Sequence, residues 1–373
     1  MKKLVVKVIV GILSLIYMFI RLFPVGHRVT LVSWQSNRPT LDFRLLAEAL
    51  RREDPSLEVV LLCRKMERTL PGMLAYIPQV LRQMKAFASS QMVVADSYCI
   101  PLSVLRHKDS LKVMQIWHAL SAIKMFGWQT VGKETGTSPL IAETMHMHRN
   151  YDYIACASEV TATYFCEAFG YDHSYVVRLG LPRIDYILQE DPETVAAIRE
   201  AYPFFENGRK NIYYVPTLRK ITGVRFDDLA TQIDRERYNL IVRLHPLDRY
   251  RQDLPHGEGI YYVNDFDTYS LMKACDAIIS DYSSFVVEAS LVDKALYLYT
   301  YDLEEYEQNT GLNVRYEEEA IGKYQFRDAG ALVQAMEEPY DFAALHTFRQ
   351  KFVDVDTEDC AGQMARFIIE KGC

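Results

Sequence analysis

Histidine side chains follow two apolar stretches that read as buried strands, and each could move a proton or meet a phosphate. His118 follows the run VMQIW, and His245 follows IVRL and precedes a proline that would end the strand. An imidazole at a strand end can act as a general base, bind a phosphate or stabilise a leaving group. Lys124, six residues after His118, could contact a phosphate. On position alone, both histidines could also be structural residues held by hydrogen bonds in loops.

A hydroxyl group and a guanidinium follow a third apolar run, YYVP, in a form suited to phosphate oxygens. Thr217 offers the hydroxyl group, and Arg219 offers a guanidinium that can donate two parallel hydrogen bonds. The alternative interpretation is a turn that carries a surface arginine.

The segment SDYSS provides the sharpest chemical pattern in the chain. Asp281, Ser283 and Ser284 follow the run AII and precede FVVEASL, which reads as a helix. Hydroxyl groups and free backbone N–H groups at a helix N-terminus favour an anion. Glu288, one turn further on, could accept hydrogen bonds from ribose hydroxyls. The alternative interpretation is an ordinary helix cap, which has the same residue types.

Several other kinds of site are disfavoured by the sequence. His146 and His148 are two residues apart and would not share a helix face, so we predict no metal site there. The seven cysteines form no CxxC pair, and the chain contains no GxxxxGK[ST], GxGxxG or GxSxG motif. We therefore predict no cofactor. The net charge of −7 also argues against nucleic acid as the main partner.

These residues need a scaffold of strands and helices, and the hydrophobic pattern predicts two α/β domains. Apolar runs rich in Val and Ile alternate with amphipathic stretches such as residues 40–53, which is typical of parallel strands buried on both faces. The predicted strands are residues 29–33, 57–63, 92–95, 113–117, 153–157 and 175–179, then 211–215, 239–244, 260–263, 277–280 and 295–299. A break at GLPR separates the two series. We predict two doubly wound, Rossmann-like domains, residues 26–182 and 183–373, with ligands beyond the carboxyl ends of the strands.

The N-terminal residues 1–25 form a predicted membrane anchor. Lys2, Lys3 and Lys7 precede an uncharged stretch over residues 8–20, and Arg21 closes it. The stretch is short for a spanning helix of about 20 residues, although flanking cations could extend towards the lipid headgroups. A spanning helix, an in-plane anchor and an N-terminal core helix all remain open. We expect a cytoplasmic catalytic body on the inner face of the membrane.

Taken in order, the motifs resemble the CDP-glycerol glycerophosphotransferase family, the enzymes that prime and polymerise teichoic-acid backbones. The motifs are WHA with Lys124, then GLPRID, YVPTLR, HP and CDAIISDYSSFVVEA, followed by Lys294 and YTYDLEEYE. The resemblance covers roughly residues 90–310, and it implies a glycosyltransferase-B fold with the donor bound mainly by the second domain.

The resemblance also implies roles for individual residues. His118 matches the histidine that is proposed as the base in this family, and His245 matches a second essential histidine. Donor-phosphate contacts are implied for Arg219, Ser283 and Ser284, and a ribose contact for Glu288. The family commonly reads HGTPLK where this chain reads His118-Ala-Leu-Ser-Ala-Ile-Lys124, so the loop and the acceptor or polyol can differ.

The function implied by this resemblance is transfer of a polyol phosphate from CDP-glycerol or CDP-ribitol to a hydroxyl group of a lipid-linked acceptor. His118 would deprotonate that hydroxyl, and CMP would leave. This requires the imidazole of the first domain to face the anion site of the second. Two alternatives remain: a nucleotide-sugar glycosyltransferase of the same fold, and an inactive membrane-tethered homologue.

Overall fold

The computed structural model describes residues 2–67, 69–134, 136–219, 224, 226–245 and 254–372. The chain divides into two units: residues up to Tyr186 together with those from Phe352 onwards, and Ile187–Lys351. The strands are β1 (Arg28–Ser33), β2 (Glu58–Cys63), β3 (Met92–Ala95), β4 (Lys112–Gln115), β5 (Tyr153–Cys156), β6 (Val176–Arg178), β7 (Lys210–Tyr214), β8 (Tyr238–Val242), β9 (Ile260–Tyr262), β10 (Ala277–Ser280), β11 (Ala295–Tyr299) and β12 (Gln325–Phe326).

Helices connect these strands. They are α1 (Lys2–Ile20), α2 (Leu41–Glu53), α3 (Leu70–Ser89), α4 (Ile100–Val104), α5 (Pro139–Thr144), α6 (Glu159–Phe169), α7 (Arg183–Leu188), α8 (Pro192–Ala201), α9 (Asp227–Gln232), α10 (Thr268–Ala274), α11 (Phe285–Ala289), α12 (Leu303–Asn309), α13 (Ala329–Ala335), α14 (Phe342–Phe352) and α15 (Cys360–Gly372). Short 3₁₀ segments lie at Gly127–Thr130, His173–Tyr175, Pro203–Glu206, Tyr316–Glu318 and Ala320–Tyr324.

The first unit contains a six-stranded parallel sheet in the order β2-β1-β3-β4-β5-β6. The four residues of β3 are all buried, as the continuous run MVVA indicates for a strand covered on both faces. The strand order reverses between β1 and β3. In open α/β sheets, the crevice beyond the carboxyl ends of two such strands is where ligands bind.

Helix α2 shows how the sequence sets a helix start and its buried face. The Thr40 side chain accepts a hydrogen bond from the Phe43 backbone N–H at 3.4 Å and caps the helix. Phe43, Leu46 and Leu50 form the buried stripe at helical spacing. The predicted helical stretch over residues 40–53 is therefore confirmed, with Thr40 as its cap.

The second unit repeats the architecture with the sheet order β12-β11-β10-β7-β8-β9, again parallel throughout. Here the order reverses between β7 and β10. The prediction of two doubly wound α/β sheets is confirmed. The two-residue strand β12 is an edge strand that the hydrophobic pattern does not reveal, because so short a run has no period.

The strand before His118 is shorter than predicted. The sequence predicts a strand over residues 113–117, whereas β4 ends at Gln115. The reason is backbone conformation: Trp117 has φ of 56°, in the left-handed region that a strand cannot include. The chain therefore turns sharply one residue before His118.

The C-terminal residues belong to the first unit, which differs from the predicted domain boundaries. Helix α15 packs against α2, and the Asp185 carboxylate accepts from the backbone N–H groups of Cys360 and Ala361 at 2.7 and 2.8 Å. This carboxylate caps the N-terminus of α15. Gly180 lies against Cys360, where an added Cβ would meet the sulfur at 2.5 Å. The GLPRID segment thus attaches the C-terminal helix to the first unit.

Helix α1 packs on α3 along one face. Tyr17 is buried, and Leu13 and Ile20 pack with it against a cluster that includes Met84 and Leu105. Among the described helices, none has both the length and the apolar character that a bilayer crossing requires.

Candidate active site

In the first unit, three neighbouring strands place polar side chains at one edge of the sheet. Ser33 ends β1, Asp96 follows β3, and His118 follows β4 after the turn at Trp117. Because β1 and β3 flank the point where the strand order reverses, this edge is the expected ligand crevice. Asp96 is absent from the predicted site residues, although the rule that selected His118 also applies to it.

The orientation of His118 is set by a main-chain contact. Its Nδ1 lies 3.0 Å from the Asp96 backbone oxygen. Since a carbonyl oxygen can only accept, Nδ1 carries the hydrogen, and in the neutral ring the lone pair is on Nε2. The indole of Trp117 packs against the imidazole with 4.1 Å between ring centroids. The Asp96 contact sets the tautomer, and the left-handed backbone and indole of Trp117 set the position of the ring.

The protonation state of His118 follows from its surroundings. Its pKa is lowered to about 4, chiefly because burial disfavours the charged ring, and the charges of Arg183 and Lys124 act in the same direction. The Asp96 carbonyl and the Asp42 carboxylate act in the opposite direction. At neutral pH the imidazole is therefore uncharged, which is the form that a general base requires.

A buried ion pair supplies one of the nearby positive charges. Arg183 donates from its backbone N–H to Asp42 Oδ1 at 2.9 Å and from Nε to Asp42 Oδ2 at 3.0 Å. Asp42 lies in the first turn of α2 and is fully buried. Arg183 belongs to the GLPRID motif, and Lys124 is half-buried on the loop after His118. The structure thus brings Lys124 and Arg183 close enough to His118 for their charges to affect its pKa.

In the second unit, the loops after β7 and β10 meet at the corresponding reversal of strand order. The Thr217 backbone N–H donates to both carboxylate oxygens of Asp281, at 3.0 and 2.9 Å. The Ser280 hydroxyl donates to the Val215 backbone oxygen at 2.8 Å. The two predicted donor-binding segments are therefore one connected structure.

Arg219 is enclosed by protein partners in this second site. Its Nε and Nη2 donate to Asp302 at 2.8 and 2.9 Å, and its Nη1 donates to Asp281 at 2.5 Å and to the Thr217 backbone oxygen at 2.8 Å. At least four of its five N–H groups are thus used within the protein. The residue is only 5% exposed.

Three aromatic rings surround the same guanidinium. The rings of Tyr282, Tyr301 and Tyr306 lie 5.1, 5.4 and 5.2 Å from its central carbon. The predicted role of Arg219 was a direct donor-phosphate contact. The charge of Arg219 is paired here with Asp281 and Asp302, and its contact with the donor phosphate stays a prediction.

The serine pair and Glu288 are placed differently from one another. Ser283 and Ser284 are half-buried, and the Ser283 hydroxyl accepts from the Phe285 backbone N–H at 3.2 Å. Helix α11 has only five residues, so its dipole is weaker than the longer predicted helix would provide. Glu288 is buried and accepts from the Tyr269 hydroxyl at 2.8 Å. The serines are thus partly accessible, whereas Glu288 is buried.

The remaining predicted residues are two groups of histidines. His245 is exposed just after β8, and its neighbour Pro246 lies outside the described residues. His148 is buried, with Nδ1 3.0 Å from the Tyr151 hydroxyl, and His146 has a left-handed φ of 46°. Within the described residues, no group of three potential metal ligands occurs.

Comparisons with known proteins identify the family of the chain. Residues 15–370 match the family described as CDP-Glycerol:Poly(glycerophosphate) glycerophosphotransferase. A teichoic acid ribitol-phosphate primase of Bacillus spizizenii is 28% identical over 383 residues, which cover 99% of this chain and 98% of the relative. A teichoic acid glycerol-phosphate primase of Bacillus subtilis is 25% identical over 315 residues, which cover 80% of each chain.

A solved structure has the same fold. A variant of the wall teichoic acid polymerase TagF, soaked with CDPG, superimposes with a TM-score of 0.74 at 17% identity, covering 99% of this chain and 98% of that one. This similarity shows the fold, and the family match over nearly the whole chain shows the relationship. The chain therefore belongs to the CDP-glycerol:poly(glycerophosphate) glycerophosphotransferase family, as its motifs indicate.

Proposed function

We propose that this chain transfers glycerol phosphate or ribitol phosphate from a CDP-polyol to an acceptor hydroxyl in the synthesis of teichoic acid or a related polymer. The family match supports the reaction class, and the relatives named as glycerol-phosphate and ribitol-phosphate primases support both polyols. The observation that carries the chemistry is the hydrogen bond of His118 Nδ1 to the Asp96 carbonyl, which leaves the lone pair of the neutral ring on Nε2.

In the proposed step, His118 Nε2 accepts the proton of the acceptor hydroxyl. The resulting oxygen attacks the phosphorus that carries the polyol. The bond from that phosphorus to the oxygen of the CMP phosphate breaks, and CMP leaves with the electron pair. Positioning and charge stabilisation provide most of the rate in phosphoryl transfers, and one general base contributes about 10²–10⁴-fold.

On the donor side, the groups suited to phosphate and ribose contacts are those at the edge of the second site. Ser283 and Ser284 are half-buried, and Thr217 places its hydroxyl on the loop after β7. His245 and Lys124 are the candidates for stabilising charge on the leaving group or the acceptor. Arg219 acts indirectly, because it holds the Thr217 loop and Asp281 together.

A nucleotide-release assay tests this function. The full-length protein is incubated with a lipid-linked saccharide in detergent micelles and, in separate reactions, CDP-glycerol, CDP-ribitol or UDP-sugars. We expect acceptor-dependent CMP release from one or both CDP-polyols. UDP release instead would identify a glycosyltransferase. If no nucleotide is released and no CDP-polyol raises the melting temperature, the chain is an inactive homologue.

We also propose that the chain lies on the cytoplasmic face of the membrane through one surface, made of the outer faces of α1 and α3. Large apolar side chains are exposed on both helices. They are Leu4, Val8, Ile9, Ile12, Leu15, Met18 and Phe19 on α1, Leu22 and Phe23 just after it, and Met73, Leu74, Ile77 and Leu81 on α3. Apolar patches of this extent mark interaction sites. Lys7 lies within α1 and Arg21 lies just after it, and cations at these positions suit anionic lipid headgroups.

Polar contacts hold the end of α1 against the protein body, which supports an in-plane anchor. The Tyr17 hydroxyl lies 2.8 Å from His107 Nδ1, and Arg21 donates to the Arg106 backbone oxygen at 3.3 Å. Lys108 donates to the Phe23 backbone oxygen, just after α1. A helix whose C-terminal half packs on the body can present its outer face sideways to a bilayer. A cytoplasmic side also suits a cytosolic nucleotide donor.

Vesicle sedimentation tests the membrane surface. The double substitution Phe19→Asp with Leu22→Asp should lower binding to anionic vesicles by tenfold or more, because each buried apolar side chain contributes about 1.5–3 kcal/mol. The control is Phe342→Asp, another exposed apolar position on the second unit. Equal loss for both variants, or no binding by the unmodified protein, would remove the proposal.

A further inference from the structure

Asp96 is a buried carboxyl group at the crevice of the first unit, and its hydrogen bonding is incomplete. It is 1% exposed and directly follows β3 at the reversal of strand order. The Ser97 hydroxyl donates to its Oδ1 at 2.9 Å. Its Oδ2 has no hydrogen-bond partner within the described part of the chain. Buried polar atoms in native proteins are nearly always paired, so this oxygen indicates a partner that arrives from outside.

The same residue is joined to the proposed base. The Asp96 backbone oxygen accepts from His118 Nδ1 at 3.0 Å, so the two residues lie together at the carboxyl ends of the neighbouring strands β3 and β4. The neighbouring Gln35 side chain is exposed and reaches within 3.4 Å of His118, and His118 itself is half-buried. The strand end is therefore at the boundary with solvent, where a substrate group can reach it.

The charge of Asp96 limits what this partner can be. Burial raises the pKa of its carboxyl group to about 6, while the Ser33 and Ser97 hydroxyls lower it. At neutral pH the group is mostly ionised, so Oδ2 is an acceptor that attracts a hydroxyl donor and repels a phosphate. A polyol or sugar hydroxyl of the acceptor substrate fits this chemistry, whereas the diphosphate of the donor does not.

We propose that Asp96 is a positioning residue for the acceptor substrate, whose hydroxyl group donates a hydrogen bond to Oδ2 and is thereby presented to His118. This inference rests on the proposed polyol-phosphate transfer and deepens it. The hydrogen bond completes the pairing of the buried carboxylate only when the acceptor is bound. Asp96 thus contributes to acceptor recognition and leaves donor recognition unchanged.

Steady-state kinetics of Asp96→Asn test the proposal, with the lipid-linked saccharide in micelles as the acceptor probe. We expect the acceptor KM to rise roughly 10- to 100-fold, as for a lost hydrogen bond to a charged group. The KM for the CDP-polyol should stay within about twofold. Asp152→Asn is the control, because Asp152 is already paired with Lys112 and the Val113 backbone N–H, at 3.3 and 2.9 Å. It should leave both KM values unchanged.

A second measurement separates recognition from a folding defect. Acceptor analogues that each lack one hydroxyl group are assayed with the unmodified enzyme and with Asp96→Asn, and melting temperatures are recorded for both proteins. The analogue that lacks the hydroxyl group bound by Asp96 should be a poor acceptor for the unmodified enzyme. Its activity should not fall further with Asp96→Asn.

The outcomes distinguish the two proposals. An unchanged acceptor KM, as expected if only water satisfies Oδ2, would overturn the role of Asp96. The role of Asp96 would also be overturned if the substitution lowered the activity with every analogue equally, in step with the melting temperature. Absence of CMP release by the unmodified enzyme would instead refute the proposed function itself.

Discussion

Replacing Arg219 with alanine would leave two carboxylates, Asp281 and Asp302, without the cation that joins them. The Asp281 side chain is fully buried, and that of Asp302 is 13% exposed. Removing one partner of a buried ion pair costs about 3–5 kcal/mol, because the remaining charge stays desolvated. We therefore expect Arg219→Ala to lower the melting temperature of the second unit by roughly 6–20 °C.

The assay is thermal and urea unfolding followed by near-ultraviolet circular dichroism. Arg327→Ala is the matched control, because Arg327 pairs with Glu304 on the surface, where both side chains are more than half exposed. Such a surface pair contributes about 0–1 kcal/mol. Binding of CDP-glycerol is measured on the same samples, at temperatures where both variants remain folded.

The two roles of Arg219 give opposite patterns. A framework role predicts a large loss of stability for Arg219→Ala and little loss for Arg327→Ala. If Arg219→Ala unfolds like the control while its affinity for CDP-glycerol falls more than tenfold, the residue contacts the donor phosphate directly, and the framework argument is refuted.

Four further predictions can each be tested separately. Because the pKa of His118 is lowered to about 4, the acid limb of kcat at saturating acceptor should lie below about pH 5, whereas kcat/KM for the acceptor should also report Asp96, whose pKa is raised to about 6. A kcat limb near 6.5 would show that another group titrates. The lowered pKa also means that the unfolded chain binds more protons at His118 than the folded chain between pH 6.5 and 4. As the pH falls through that range, the unmodified protein should therefore lose stability relative to His118→Gln, as measured by the urea midpoint. Thr217→Val should keep or raise the melting temperature, since the buried Thr217 hydroxyl has no hydrogen-bond partner among the described residues. The same variant should bind CDP-glycerol more weakly, and unchanged binding would remove Thr217 from the donor contacts. Asp185→Ala should cost about 1–2 kcal/mol in urea unfolding by removing the cap of α15, and a loss below 0.3 kcal/mol would contradict the role of this cap.

The strands could be predicted from the sequence because each is a run of apolar residues between turns. β3, β10 and β11 have the predicted bounds, since runs such as MVVA and AIIS end at polar residues. The end of β4 could not be predicted, because nothing in the run VMQIW shows that Trp117 adopts a left-handed backbone. The attachment of α15 to the first unit depends on a contact between residues 175 positions apart.

The sequence predicts where the candidate site residues lie, but it predicts the contacts of each residue only in part. The rule that ligands bind beyond strand ends selected His118 and the loops after β7 and β10. The same rule cannot tell a phosphate-binding arginine from one that neutralises two carboxylates, because Asp302 is 83 residues from Arg219. Asp96 was likewise hidden, since an aspartate after a strand is common and only its missing partner sets it apart.

Single-turnover CMP release by His118→Ala is the most direct measurement of whether this imidazole is the base. With CDP-polyol prebound and acceptor added, we expect the rate to fall about 10²–10⁴-fold while the affinity for the CDP-polyol stays within about twofold. A rate within about threefold of the unmodified enzyme would contradict the central claim and assign proton transfer to a different group.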